Sequence, residues 1–142
     1  MTITKDGRIV GLHRPHPKFA GAAQELEQYL FDAYKAGVTK TLFKVFECFR
    51  SDSRQHSLFA KGVSKAKAGQ SAHNYGLAAD FVPWINGDEA AALGHGTVPG
   101  WSWHPSHDYD FLEKAARKFG LEAPIPWDRC HVQLPNWKKF AK

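Results

Sequence analysis

Ser71-Ala-His-Asn-Tyr-Gly-Leu-Ala-Ala-Asp80, continued by Phe81 and Val82, is the stretch whose reading decides the fold. From Gly76 to Val82 the residues are small and apolar, the composition of a buried strand, yet Asp80 stands in their midst. Side chains alternate across a strand, so Gly76, Ala78, Asp80 and Val82 share one face while Leu77, Ala79 and Phe81 share the other. A buried, ionised carboxylate is costly unless a cation compensates it. Two compensations are open to Asp80: an ion pair with Arg50 or Arg54, or a metal ion.

Histidines favour the metal. His73 lies seven residues before Asp80, in a loop that Gly76 allows to turn back toward the strand. His131 lies fifty-one residues after Asp80, at the mouth of a second predicted strand, Cys130 to Leu134, where it shares a face with Gln133. Two imidazoles and one carboxylate, with the fourth position open, are the ligand set of a catalytic rather than a structural zinc site. Asp128 stands three residues before His131 in the loop Ile125-Pro-Trp-Asp-Arg-Cys130, placed to serve that open position as a general base without ligating. Cys130 is chemically able to bind zinc, but its side chain points away from the face His131 uses, so it reads as a buried structural thiol.

A single histidine is more often a capping or surface residue than a ligand. His13, His16, His56, His95, His104 and His107 are read that way, with His104 and His107 also a candidate second, weaker metal pair. Trp84, Trp101, Trp103 and Trp127 are candidates for a groove wall, although tryptophans are as often ordinary core.

Working outward, Phe19, Ala22, Ala23, Leu26, Leu30 and Ala33 have the spacing of an amphipathic helix over 19–36, stopped by Gly37. Thr41 to Phe49 is rich in Phe and Val and predicts a strand. Ser51 caps a short helix over 52–61 with Gly62 beyond it. One or two helical turns follow at 88–93, then a Gly/Pro/Trp-rich loop through Pro105. The clearest helix is capped by Ser106, carries Asp108 and Asp110 first and Lys114, Arg117 and Lys118 last, and buries Tyr109, Leu112, Ala116 and Phe119 before Gly120. The first dozen residues are polar and are expected to form an extended arm. Helices and strands mix without βαβ regularity, which predicts an α+β fold with a mostly antiparallel sheet and flanking helices.

At 142 residues and 43% hydrophobic, the chain is long enough for one core and too short for two, so a single compact domain over 1–142 is expected. The net charge of +5 favours an anionic partner. Neither an arginine-rich tract nor a nucleic-acid motif accompanies that charge, and no nucleic acid is expected. Two cysteines make no disulfide framework. No stretch is long and apolar enough to be a signal peptide or to span a membrane. The expectation is a soluble monomer made in the cytoplasm.

Taken together, Ser71-x-His73-x-x-Gly76-x-Ala78-x-Asp80 and Trp127-Asp128-x-x-His131-Val resemble the zinc peptidases that include D-Ala-D-Ala carboxypeptidases, vancomycin-resistance dipeptidases and phage L-alanyl-D-glutamate endolysins. The resemblance covers roughly residues 46–134. It implies that His73, Asp80 and His131 hold zinc and that Asp128 is the catalytic base. It also implies that Arg50, in Phe49-Arg50-Ser51, stabilises the oxyanion and that Ser71 binds substrate or orients the site. Aspartate at 128, where the dipeptidases carry glutamate, is similar to the endolysin branch, as are the small size and the absence of a leader. Two positions depart from the pattern: Glu47-Cys48-Phe49 stands where Ser-Gly-Tyr often precedes the arginine, and Gln133 where glutamate often follows the last histidine. The implied substrate is the anionic stem peptide of peptidoglycan, cut between L-Ala and D-Glu. The enzyme would be made in the host cytoplasm and would reach the periplasm and cell wall through a holin. Alternatives are a D-Ala-D-Ala carboxypeptidase or dipeptidase with the same site, and a non-catalytic, zinc-containing wall-binding module.

Overall fold

In the computed structural model, which describes residues 3–5, 7–94 and 99–141, the spacing of Phe19, Ala23, Leu26, Leu30 and Ala33 becomes the buried stripe of helix α1 (Pro17–Lys35). Pro17 opens it, where a missing N–H costs nothing, and His16 caps it, Nδ1 accepting from the Lys18 amide at 3.0 Å. Strand β1 (Leu42–Glu47) and helix α2 (Asp52–Ala60) follow, Ser51 capping α2 as its sequence predicts. Beyond a 3-10 turn (Ala72–Tyr75) come β2 (Ala78–Ile85), α3 (Gly87–Ala92), β3 (Gly100–Trp101), α4 (Tyr109–Lys118), β4 (His131–Gln133) and a second 3-10 turn (Trp137–Phe140).

Every strand pairing is antiparallel, and β2 is the centre. β1 lies along one edge of β2. β4 and β3 share the other, β4 beside Ala78–Asp80 and β3 beside Trp84–Ile85. Helix α1 packs against β1 and α4, and Phe19, Leu26, Leu30, Phe81 and Leu112 meet in one core with the sheet. The fold is α+β with a four-stranded antiparallel sheet. No described helix is long and apolar enough to cross a membrane.

Three local expectations are corrected. The central strand begins at Ala78 rather than Gly76 and runs on through Pro83, whose carbonyl still serves the sheet by accepting from the Ser102 amide at 2.9 Å. Helix α4 is capped by Asp108, whose carboxylate accepts from the Phe111 amide at 3.3 Å; Ser106 bonds the His104 ring instead. Asp108 also receives the Thr39 hydroxyl at 3.1 Å, tying the start of α4 to the approach to β1. The N-terminal segment is no extended arm, because Ile3 bridges Ile9 and Arg8 donates to the Phe46 carbonyl at 2.7 Å with its guanidinium 3.7 Å over the Phe46 ring.

Candidate metal centre

Pairing between β1 and β2 slips at Phe46, a bulge that sets Glu47 opposite Asp80. From the other edge β4 sets His131 opposite the same residue. Three strands thus present Glu47, Asp80 and His131 as one cross-strand row. His73 joins the row from the 3-10 turn, which Ser71 caps by accepting from the His73 amide at 3.3 Å. Gly76 ends that turn at φ 68°. A Cβ there would stand 2.5 Å from the Arg14 carbonyl oxygen and 2.8 Å from the His16 nitrogen, so only glycine lets the N-terminal segment cross this closely.

Hydrogen bonding fixes what each ring offers. His73 Nδ1 lies 2.8 Å from the Cys48 carbonyl oxygen. A carbonyl only accepts, so Nδ1 carries the proton and Nε2 presents its lone pair. His131 has the opposite sense: Nε2 donates to Gln133 Oε1 at 2.8 Å, which leaves Nδ1 as the lone pair. His73 Nε2 is 3.1 Å from Asp80 Oδ1 and 3.2 Å from His131 Nδ1, and the remaining side of the triangle, Asp80 Oδ1 to His131 Nδ1, is 3.7 Å. Two lone pairs and a carboxylate oxygen facing one point repel each other unless a cation stands among them, either a metal ion or a proton on an imidazole. Burial opposes the proton, yet Asp80 raises the His131 imidazole above its usual range. Ligands about 2.0–2.2 Å from one tetrahedral ion are roughly 3.3–3.6 Å apart, inside the observed range. His73, Asp80 and His131 form a group that can hold a metal ion.

Of the two compensations open to Asp80, the ion pair is formed, and the donors that could hold a metal ion stand on its other side. Its Oδ1 faces the imidazoles, and Arg50 Nη2 stands 3.5 Å from its Oδ2. Burial opposes its ionisation, yet the imidazoles of His73 and His131 and the Arg50 guanidinium hold its carboxyl well below the usual carboxylate range. Arg54 pairs elsewhere, with Glu47 Oε2 at 2.8 Å.

Asp128 is half-buried at the end of a tight turn, its amide donating to the Ile125 carbonyl and its own carbonyl accepting from the His131 amide, both at 3.1 Å. It lies outside the ligand group. Burial, and then the charge of Asp80, raise its carboxyl above the usual range, partly offset by His131, His73 and Arg50. Asp128, the three ligand candidates, Arg50 and Ser71 line one cleft of about 910 Å³, a size suited to a peptide segment. Of the tryptophans expected along a groove, Trp103 and Trp127 line it, and Trp137 joins them. Trp84 and Trp101 instead pair edge-on at 5.2 Å across β2 and β3.

Cys48 and Cys130 are buried free thiols. Burial, reinforced by Asp80 and Glu47, pushes the Cys48 thiol up to about 12, and burial raises Cys130 as well. Both stay neutral thiols, as read for Cys130. The candidate second pair is otherwise engaged: His104 Nδ1 meets Ser106 Oγ at 2.8 Å and His107 Nε2 meets Ser102 Oγ at 2.7 Å. His95 lies outside the described residues.

No known family pattern matches the chain, and no curated protein matches it. Solved structures do. The Serratia marcescens L-Ala D-Glu endopeptidase ChiX aligns with a TM-score of 0.55 at 21% identity, over 97% of this chain and 96% of its own. The LD-carboxypeptidase LdcB, whose structure bears on peptidoglycan recognition, aligns with a TM-score of 0.53 at 19% identity over 84% of this chain. This chain spans only 62% of the LdcB chain. The chain has the fold of these two peptidases.

Within that fold, three residues that the sequence reading passed over surround the candidate site. Glu47 is 1% exposed and takes Arg50 Nη2 at 3.0 Å as well as Arg54. Gln55 is wholly buried and accepts from Arg50 Nη1 at 2.9 Å. Asn74 donates to the Arg50 carbonyl at 3.0 Å and accepts from the Gly69 amide at 3.0 Å and the Ser71 amide at 3.2 Å, locking the turn that carries His73. The available signal for Glu47 was a lone acid in an apolar strand, the same signal that exposed Asp80.

Proposed function

We propose that the protein is a zinc-dependent hydrolase of the peptidoglycan stem peptide, an endopeptidase of the phage endolysin type that cuts between L-Ala and D-Glu. One observation carries this reading: two imidazole lone pairs and a carboxylate oxygen converge at tetrahedral spacing in a cleft, with a second, unliganded carboxylate beside them. Zinc fits this donor set, and when bound it supplies Lewis acidity that polarises a carbonyl and makes water a better nucleophile.

The chain's own residues do the rest. His73 and His131 are held in the ligating tautomer by Cys48 and Gln133. Asp128, with its carboxyl raised, takes a proton as water attacks the peptide carbonyl and returns it to the leaving amine. Arg50 spends four N–H···O contacts on Glu47, Gln55 and Asp80. A guanidinium has five N–H groups, so one remains to meet the negative charge that develops on the carbonyl oxygen. Ser71, at the cleft wall, is a substrate contact whose hydroxyl also caps the turn. In this role the protein acts on the cell wall as a monomer and reaches it through a holin-type pore.

Digestion of purified peptidoglycan by the zinc-loaded protein, followed by mass spectrometry, tests the reading. The expected products are glycan strands bearing only L-Ala and released peptides that begin with D-Glu. Release of D-Ala alone would move the protein to carboxypeptidase action with the same site. Intact peptidoglycan would leave a wall-binding module.

A further inference from the structure

The cleft contains more charge than the chemistry uses. Arg50 and Arg54 pair with Glu47, Arg50 keeping one N–H for the carbonyl oxygen, and Asp80 faces the imidazoles and Arg50. Lys65 also lines the cleft and makes no ion pair with a carboxylate among the described residues. Its ammonium sits 4.0 Å over the ring of Trp127, the residue directly before Asp128. Trp127 is 68% exposed, so the contact spans the cleft mouth in open view rather than inside the core.

The loop that carries Lys65 is anchored on both sides by one buried side chain. Gln55 Nε2 donates to Ser64 Oγ at 2.9 Å and to the Ala66 carbonyl at 2.6 Å. The Oε1 of the same amide accepts from Arg50. An unbroken chain of hydrogen bonds therefore runs from the carboxylate of Asp80 through Arg50 and Gln55 to the residues flanking Lys65. A surface lysine with no role needs no such mount.

Resting on the proposed function, we propose that Lys65 is a specificity-determining cation that holds a free carboxylate next to the scissile bond, and that the enzyme therefore prefers stems whose D-Glu keeps its α-carboxylate over stems in which it is amidated. In the L-Ala–D-Glu bond that carboxylate is attached to the carbon bearing the scissile nitrogen. An anionic group placed there meets Asp80 and Asp128, and a cation in the same cleft, over the Trp127 ring, offsets that repulsion. A carboxamide gains nothing from it.

The test is kcat/KM for two muropeptides that differ only in carboxylate against carboxamide at that position, measured with the wild-type, Lys65→Gln and Lys65→Arg proteins. The wild type is expected to prefer the carboxylate by roughly 10-fold, the scale of one charge-assisted hydrogen bond, and to lose that preference as salt rises. Lys65→Gln should remove the preference through KM on the carboxylate substrate and leave the amidated substrate unchanged, while Lys65→Arg keeps most of it. Equal cleavage of both substrates by the wild type, or an unchanged preference in Lys65→Gln, overturns this inference and leaves the proposed function standing. Release of terminal D-Ala that depends on Lys65 assigns the ammonium to a C-terminal carboxylate and overturns it too. Cleavage of neither substrate overturns the proposed function and this inference together.

Discussion

Asp128→Ala is expected to keep its zinc and its fold while losing at least ~100-fold in peptidoglycan hydrolysis, the usual scale of general acid–base catalysis. Asp128 belongs to the cleft but not to the ligand group, so removing its carboxylate leaves His73, Asp80 and His131 intact. Its surroundings suit the role. Burial and the nearby charge of Asp80 raise the carboxyl above the range of an ordinary aspartate, which makes it a stronger base. Asp128→Glu should retain part of the activity, since the longer side chain still carries a carboxylate to the same place. Zinc content and activity measured on the same preparation check this. If zinc disappears from Asp128→Ala along with activity, Asp128 is a ligand rather than the base.

Glu47→Ala is expected to destabilise the protein by about 3–5 kcal/mol, because it removes the buried carboxylate that two buried guanidinium groups share. Arg50 and Arg54 each contact Glu47, and all three are buried or nearly so. Glu47 and Asp80 are also cross-strand neighbours, two carboxylates that would repel without the Arg50 guanidinium between them. The loss should appear as a fall in Tm of roughly 10 °C and as weaker zinc binding, since Arg50 would no longer be held against Asp80 Oδ2. An unchanged Tm would show that the cleft solvates both arginines and that Glu47 carries no such structural role.

The residues that decided the fold were legible for physical reasons. Apolar spacing exposed α1, and the hydroxyl of Ser51 announced α2, because both signals act within one or two turns of chain. Asp80 was legible because a carboxylate in a buried strand demands an explanation, and His73 and His131 supplied one. Glu47 escaped because strict alternation places it with Phe43 and Val45, and the bulge at Phe46 that sets it opposite Asp80 instead leaves no local mark in the sequence. Asp108 rather than Ser106 caps α4 because Thr39 and Thr41, nearly seventy residues earlier, hold Asp108 in place. Pro83 hid the second half of β2, since a proline normally argues against a central strand. Gln55 and Asn74 read as ordinary polar residues; only the tertiary structure shows Gln55 bonded to Arg50, Ser64 and Ala66, and Asn74 to Arg50, Gly69 and Ser71.

Elemental analysis of the purified protein beside its His73→Ala variant, with hydrolysis followed on the same samples, tests most directly whether His73, Asp80 and His131 hold the metal that the reaction requires. About one zinc per chain is expected in the wild type and almost none in His73→Ala, with hydrolysis lost on chelation and restored by added zinc. Hydrolysis that continues undiminished in chelated, zinc-free protein would contradict it.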